Sequence, residues 1–151
     1  MEQEQLKYLK LAIEESQKSV ASGSSPFGAV IVKNGEIVAV AHNTVVPDND
    51  PTAHAEVNAI RQAGQKLGTF DLTGCVLYTS CQPCPMCLNA IKWANIKQVY
   101  FAATDVDADS IGFRDKHFQS DSDVRLIQLP LQSDAYQVMR DWVQSKTKKP
   151  Y

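Results

Sequence analysis

The spacing of apolar residues changes period along the chain, and each change marks an element. Leu6, Leu9, Ile13 and Val20 recur at intervals that share one helix face, which predicts an amphipathic helix over roughly the first twenty residues. Ser22-Gly23-Ser24-Ser25-Pro26 ends it with turn-forming residues. Two β-rich runs, 28–33 and 36–41, are joined by Asn34-Gly35, a strong hairpin signal because both residues tolerate positive φ. Asp50-Pro51 then introduces a helix over 54–67. Val76-Leu77-Tyr78-Thr79 reads as a short buried strand, 84–94 as a helix, Val99-Tyr100-Phe101-Ala102 as a strand, and 124–129 as a last strand. Ala135, Val138, Met139, Trp142 and Val143 lay an apolar stripe on a final helix, most simply read as core packing. Strands alternating with helices after a hairpin predict an α/β fold, a mixed sheet covered by helices on both faces. No repeat, low-complexity tract or internal linker interrupts the pattern, so 1–151 is expected to be one domain.

Composition narrows the picture. With 151 residues and 44% hydrophobic content, the chain can bury a core without disulfide staples. A net charge of -2 and a pI near 5.9 leave no electrostatic footprint for a polyanion. Nucleic acid is thus a disfavoured partner, and a small uncharged molecule the simpler one. Met1-Glu2-Gln3-Glu4-Gln5 carries neither a basic run nor an apolar stretch, which argues against a signal peptide or membrane anchor. Four cysteines with metal-like spacing fit a reducing cytoplasm.

The chemistry concentrates in His54-Ala55-Glu56 and Pro83-Cys84-Pro85-Met86-Cys87. His54, Cys84 and Cys87 make three ligands for one zinc ion. Structural zinc is usually closed by four protein ligands, whereas catalytic zinc keeps one position open. Two thiolates and a neutral imidazole balance the divalent cation, so water at the open position ionises near neutral pH. Glu56 is then better cast as a proton carrier than as a ligand. Cys84 and Cys87, three apart, share one helix face, and a Cys84 that opens its helix has its thiolate favoured by the positive end of the macrodipole. His54 and Glu56, two apart, would point to opposite sides of a regular helix, which places His54 at the helix start.

Three other readings compete. An isolated C-x-x-C can be a redox dithiol, but that motif follows a thioredoxin-like pattern and needs no H-x-E. Cys81, Cys84 and Cys87 also form an iron–sulfur-like run, whose fourth thiolate would have to be Cys75 in an apolar stretch. A zinc closed by Cys81 would make the chain a structural or binding module.

H-x-E with P-C-x-x-C is the signature of zinc nucleobase deaminases. The chain resembles the guanine deaminases of the cytidine deaminase superfamily over essentially its whole length. The narrower likeness rests on Pro26-Phe27-Gly28-Ala29-Val30, Asn43, Asp50-Pro51-Thr52-Ala53, Tyr78-Thr79-Ser80-Cys81, Ile111-Gly112-Phe113 with Asp115, and Lys149-Pro150-Tyr151. It implies a three-layer fold with a five-stranded mixed sheet, a homodimer with an exchanged C-terminal segment, and hydrolytic deamination of guanine to xanthine and ammonia. Other base or nucleoside deaminases, including the tRNA adenosine enzymes, share the core chemistry. By the same resemblance His54, Cys84 and Cys87 hold zinc and Glu56 shuttles protons. Asn43 hydrogen-bonds the purine, Phe27 packs on the base plane, and Ala55 adds to the substrate site. Asp115 is a second carboxylate beside the departing amine, and Tyr151 closes the partner subunit's site. Without the resemblance, Asn43 reads as a turn residue, Phe27 as core and Asp115 as a loop aspartate.

Two positions depart from the family's pattern: Gln82 stands where Glu is usual, and Arg114 where an acid often precedes the second carboxylate. Cys81, His42 and His117 receive no role. Cys81 is expected to pack beneath the metal helix, and the histidines to be surface or hairpin residues.

Overall fold

The computed structural model describes residues 2–114 and 124–148. Its elements run α1 (Glu2–Ala21), β1 (Gly28–Lys33), β2 (Glu36–His42), α2 (Val45–Asp48), α3 (Ala55–Leu67), β3 (Cys75–Cys81), α4 (Pro85–Trp93), β4 (Gln98–Ala103), α5 (Asp105–Ser110), β5 (Arg125–Gln128) and α6 (Gln132–Val143). The five strands form one sheet in the order β2-β1-β3-β4-β5. β1 is antiparallel to both β2 and β3, whereas β3, β4 and β5 run parallel, so the sheet is mixed as the alternation of elements implied.

Strand alternation divides the interior into two clusters. Val30, Val32, Tyr78 and Tyr100 face Tyr8, Leu9, Ala12 and Ile13 of α1 and Ala135, Val138, Met139 and Trp142 of α6. Ala29, Ile31, Leu77 and Val99 face Ala55, Ala59 and Ala63 of α3 and Leu88 and Ile91 of α4. The period of two thus gives the sheet two apolar faces, each covered by helices. The tyrosines stack through the first layer, Tyr78 against Tyr100 at 5.1 Å between ring centroids. At the hairpin, Asn34 and Gly35 both take positive φ, 50° and 78°, as a turn twisted to match the strands requires. Gly28 opens β1 under α1 so closely that a Cβ there would lie 2.2 Å from the Ala12 carbonyl oxygen and 2.6 Å from the Ser16 nitrogen. Only glycine permits that approach.

The structure adds two elements and moves one residue. Helices α2 and α5, of four and six residues, are too short for periodicity to reveal. The start of α5 was nevertheless written in Thr104-Asp105-Val106-Asp107, which forms a reciprocal capping box. Cys81 does not lie beneath α4. It pairs with Ala103 at the end of β3, belongs to the layer of α1 and α6, and its thiol donates to the Thr104 carbonyl at 3.5 Å. No helix among the described residues is long and apolar enough to cross a membrane.

Candidate metal centre and active site

Strand directions bring the sequence-distant motifs to one edge of the sheet. Because β1 runs opposite to β2 and β3, the residue before β1, Phe27, lies at the same end of the sheet as those after β2 and β3, Asn43 and Gln82. Helices α3 and α4 both begin at this edge, on the same face, with their positive ends toward it. His54 is the N-cap of α3, with φ -67° and ψ 157°, and Cys84 the N-cap of α4, with φ -67° and ψ 167°. Both are therefore extended residues at helix starts, as the two-residue spacing of His54 and Glu56 and the prolines around Cys84 implied.

His54 Nδ1 lies 3.6 Å from Cys84 Sγ and 3.4 Å from Cys87 Sγ. Among the described residues these three are the group of side chains whose donor atoms converge, all within 4.8 Å of one another. Zinc–nitrogen and zinc–sulfur bonds of about 2.05 and 2.3 Å at a tetrahedral angle put N and S about 3.6 Å apart. The donor set therefore fits a zinc ion, with a fourth position left over. Cys81 is not in the group, so a zinc closed by four protein ligands finds no support at that residue.

The thiols are prepared for a cation. The Cys87 thiol donates to Cys84, which together with neighbouring His54 holds the Cys84 pKa down to about 4 against burial. Cys87 itself is pushed well above its ordinary value, first by that hydrogen bond and then by burial. The pair gives up one proton readily and the second only when a cation replaces it. Glu56, in the first turn of α3, is 6% exposed. Burial, followed by the charge of Cys84, raises its pKa from 4.5 to about 7. A carboxyl poised there exchanges protons at neutral pH.

Just past the end of β2, the Asn43 N–H donates to the Phe27 carbonyl at 3.1 Å. The Asn43 carbonyl accepts from Ser24 Oγ at 2.7 Å and Ser19 Oγ at 3.2 Å, and its Oδ1 accepts from the Val45 N–H at 3.0 Å. Asn43 is a turn residue in form, yet it is 1% exposed at the edge where the donors converge. The Phe27 ring meets Phe113 edge-on at 4.9 Å, and Phe113 meets Trp142 of α6 at 5.1 Å. Ala55 is fully buried at the start of α3. Gln82 accepts the Asp105 N–H at 3.2 Å, so it holds the start of α5 beside the metal loop. Asp115, His117 and Tyr151 lie outside the described residues.

Two polar residues behind this edge were not singled out from sequence. Glu15, buried in α1, pairs with His42 Nδ1 at 3.1 Å and Lys18 Nζ at 3.0 Å. Asn58, one turn past His54, donates to the chain on both sides of the 44–53 loop. The signals were present, a charge on the buried stripe of a helix and an asparagine in a helix interior, where its side chain competes with the backbone.

The family model described as the cytidine and deoxycytidylate deaminase zinc-binding region matches residues 2–103. The guanine deaminase of Bacillus subtilis (strain 168) is 51% identical over 117 residues, 77% of this chain and 75% of that one. A tRNA-specific adenosine deaminase of Aquifex aeolicus (strain VF5) is 46% identical over 98 residues, 65% of each chain. Among solved structures, a guanine deaminase from Nitrosomonas europaea superposes with a TM-score of 0.85 at 27% identity, covering 91% of this chain and 84% of that one. The guanine deaminase structure from Bacillus subtilis matches at TM-score 0.71 and 41% identity, over 96% and 97%. Since the matched segment carries both helix starts that supply the three donors, the chain belongs to the zinc-binding cytidine and deoxycytidylate deaminase family.

Proposed function

We propose that this protein is a zinc-dependent hydrolase that converts guanine to xanthine and ammonia. The observation that carries the chemistry is the convergence of His54, Cys84 and Cys87 with the Glu56 carboxyl buried two residues beyond His54. The substrate rests on the guanine deaminases among the relatives, and on a structural neighbour solved with 2,6-diaminopurine at TM-score 0.85.

In this reading His54, Cys84 and Cys87 hold one zinc, which supplies the Lewis acidity that brings the ionisation of a water close to neutral pH. The Glu56 carboxylate takes the water's proton and passes it to the ring nitrogen beside carbon 2 as the oxygen adds to that carbon. Glu56 then takes the remaining proton from the added oxygen and delivers it, directly or through Asp115, to the exocyclic nitrogen, whose bond to carbon 2 breaks as the carbonyl forms and ammonia leaves. Asn43 hydrogen-bonds the purine, Phe27 packs on its plane, and Ala55 borders it. Tyr151 belongs to a C-terminal segment exchanged within a homodimer, where it closes the partner's pocket against water. Four free thiols accord with a cytoplasmic setting.

A second reading, adenosine deamination in tRNA, has the 46% relative in its favour. The net charge of -2 weighs against a polyanionic substrate. Ammonia release measured over guanine, guanosine, cytosine, cytidine, adenine and a tRNA anticodon stem-loop decides between them. Guanine is expected to be the fastest substrate, and preference for the stem-loop would replace this reading with the second.

A further inference from the structure

Residues 44–53 leave the end of β2 and return to the start of α3 as a loop closed at its base, where the Thr44 N–H donates to the Ala53 carbonyl at 2.9 Å. Asn43 and His54 flank that base on either side, so its width sets how far the proposed purine contact stands from the first metal donor. Asn58 spans the base from α3. Its Nδ2 donates to the His42 carbonyl at 2.9 Å, to Thr44 Oγ1 at 3.0 Å and to the Ala53 carbonyl at 3.3 Å. Two of these acceptors are carbonyls, which fixes the orientation of the amide. The Asn58 N–H in turn donates to the His54 carbonyl at 2.9 Å, so one residue holds the backbone on both sides of the loop. Any replacement without the amide leaves acceptors on both sides of the base without that shared donor.

We propose that Asn58 is a positioning residue for purine recognition, fixing Asn43 relative to the metal donors. It does not touch substrate and acts through Asn43, and the inference rests on the reading of Asn43 given above. Displacing a binding group by about 1 Å lowers rates by on the order of 100-fold, so a clamp at this point is expected to show in turnover as well as in stability.

A double-mutant cycle tests this. Wild type, N58A, N43A and N58A/N43A are compared for guanine kcat/KM, by single turnover at enzyme excess so that weak variants remain measurable, for zinc content and for melting temperature. N58A is expected to keep one zinc per chain and to lose on the order of 10- to 100-fold in kcat/KM. In the N43A background the same change is expected to cost less than about 2-fold, because the group it positions is gone. The fall in melting temperature should be equal in both backgrounds. N58S, which retains one short donor, replaces N58A if the alanine variant does not fold. Losses that multiply across the cycle, wild-type turnover in N58A, or loss of its zinc would overturn the inference while leaving guanine deamination standing. Absence of guanine turnover in the wild type would overturn both.

Discussion

His54 and Cys84 hold the same position in two different helices: each is an N-cap, and their ψ angles differ only as 157° and 167° at a common φ of -67°. An N-cap residue is free of helical dihedrals, so its side chain can lean along the axis toward whatever lies beyond the helix end. Two such residues on adjacent helices aim at one point. Cys87, at the third helical position of α4, completes the set from the same turn as Cys84.

Cys87→Ala should therefore lose metal and activity together. Purified wild type is expected to hold about one zinc per chain, since the motif supplies one set of three donors. Metal analysis of both proteins checks this. Full zinc retention in the variant, or a coloured iron cluster in the wild type, would remove the assignment.

Glu56→Gln keeps the shape of the side chain and removes its basicity. Zinc content should be unchanged and turnover should fall by about 100-fold or more, the scale of a lost general acid or base. The pH dependence follows from the raised pKa. The carboxylate form accepts the proton, so wild-type kcat/KM should rise as pH increases through a midpoint no higher than about 7. A cation on the thiolates would lower that midpoint, because the charge of Cys84 is one of the causes that raise it. A kcat/KM that falls as pH rises toward about 7 would show that Glu56 is not acting as the base.

Gly28→Ala should destabilise the fold. The added Cβ would meet backbone atoms of Ala12 and Ser16, which no side-chain rotation can relieve. The loss is expected to be roughly 1–3 kcal/mol, the scale of overpacking, read as a lower urea midpoint. Because Phe27 adjoins the site, guanine turnover should fall with it. An unchanged midpoint would mean that α1 rides over β1 loosely enough to accommodate a methyl group.

Glu15 links stability to pH. Burial is the largest influence on its carboxyl and raises its pKa, but hydrogen bonds from His42 and Lys18 with their charges outweigh it, leaving the value below 4.5. A carboxyl that binds its proton less tightly when folded stabilises the protein above its unfolded pKa. That contribution is lost as pH falls through the lowered folded value. Denaturation of wild type and Glu15→Gln from pH 7 downward should show curves that converge below pH 4.5. Curves that stay parallel would mean the pair contributes nothing net.

Removing the four residues from Lys148 onward leaves every metal donor and the stripe of α6 in place. Zinc content and melting temperature should persist, while guanine turnover falls sharply if Tyr151 closes a partner's pocket. Wild-type turnover in the truncated protein would end the closure role, and a monomer at micromolar concentration by sedimentation would end the exchange of segments.

Much of this was legible because particular residues act locally. Asn34-Gly35 announces its turn whatever surrounds it, and the prolines at Pro83 and Pro85 announce a helix start. The two-residue spacing of His54 and Glu56 placed His54 at a helix start, while their different parts came from the ligand count and the resemblance. Helices α2 and α5 escaped because one or two turns carry no period, although the Thr104 capping box could have been read. Asn58 and Glu15 escaped for a different reason. Their partners, His42 and Thr44, lie 27 positions from Glu15 and 14 from Asn58, and nothing local says that those segments meet. The parts given to Asp115 and Tyr151 come only from resemblance, and both residues lie outside the described ones.

The closed base of the 44–53 loop separates two kinds of change. Lengthening a loop whose ends are already pinned adds little entropy cost, growing only with the logarithm of its length. Insertions near Asn49-Asp50-Pro51, where the surface is open, would therefore reshape an excursion without pulling Asn43 away from His54. A scaffold with anchors fixed and the span between them free can diversify its outer contour by drift, one route by which related chains come to serve different substrates on the same chemistry.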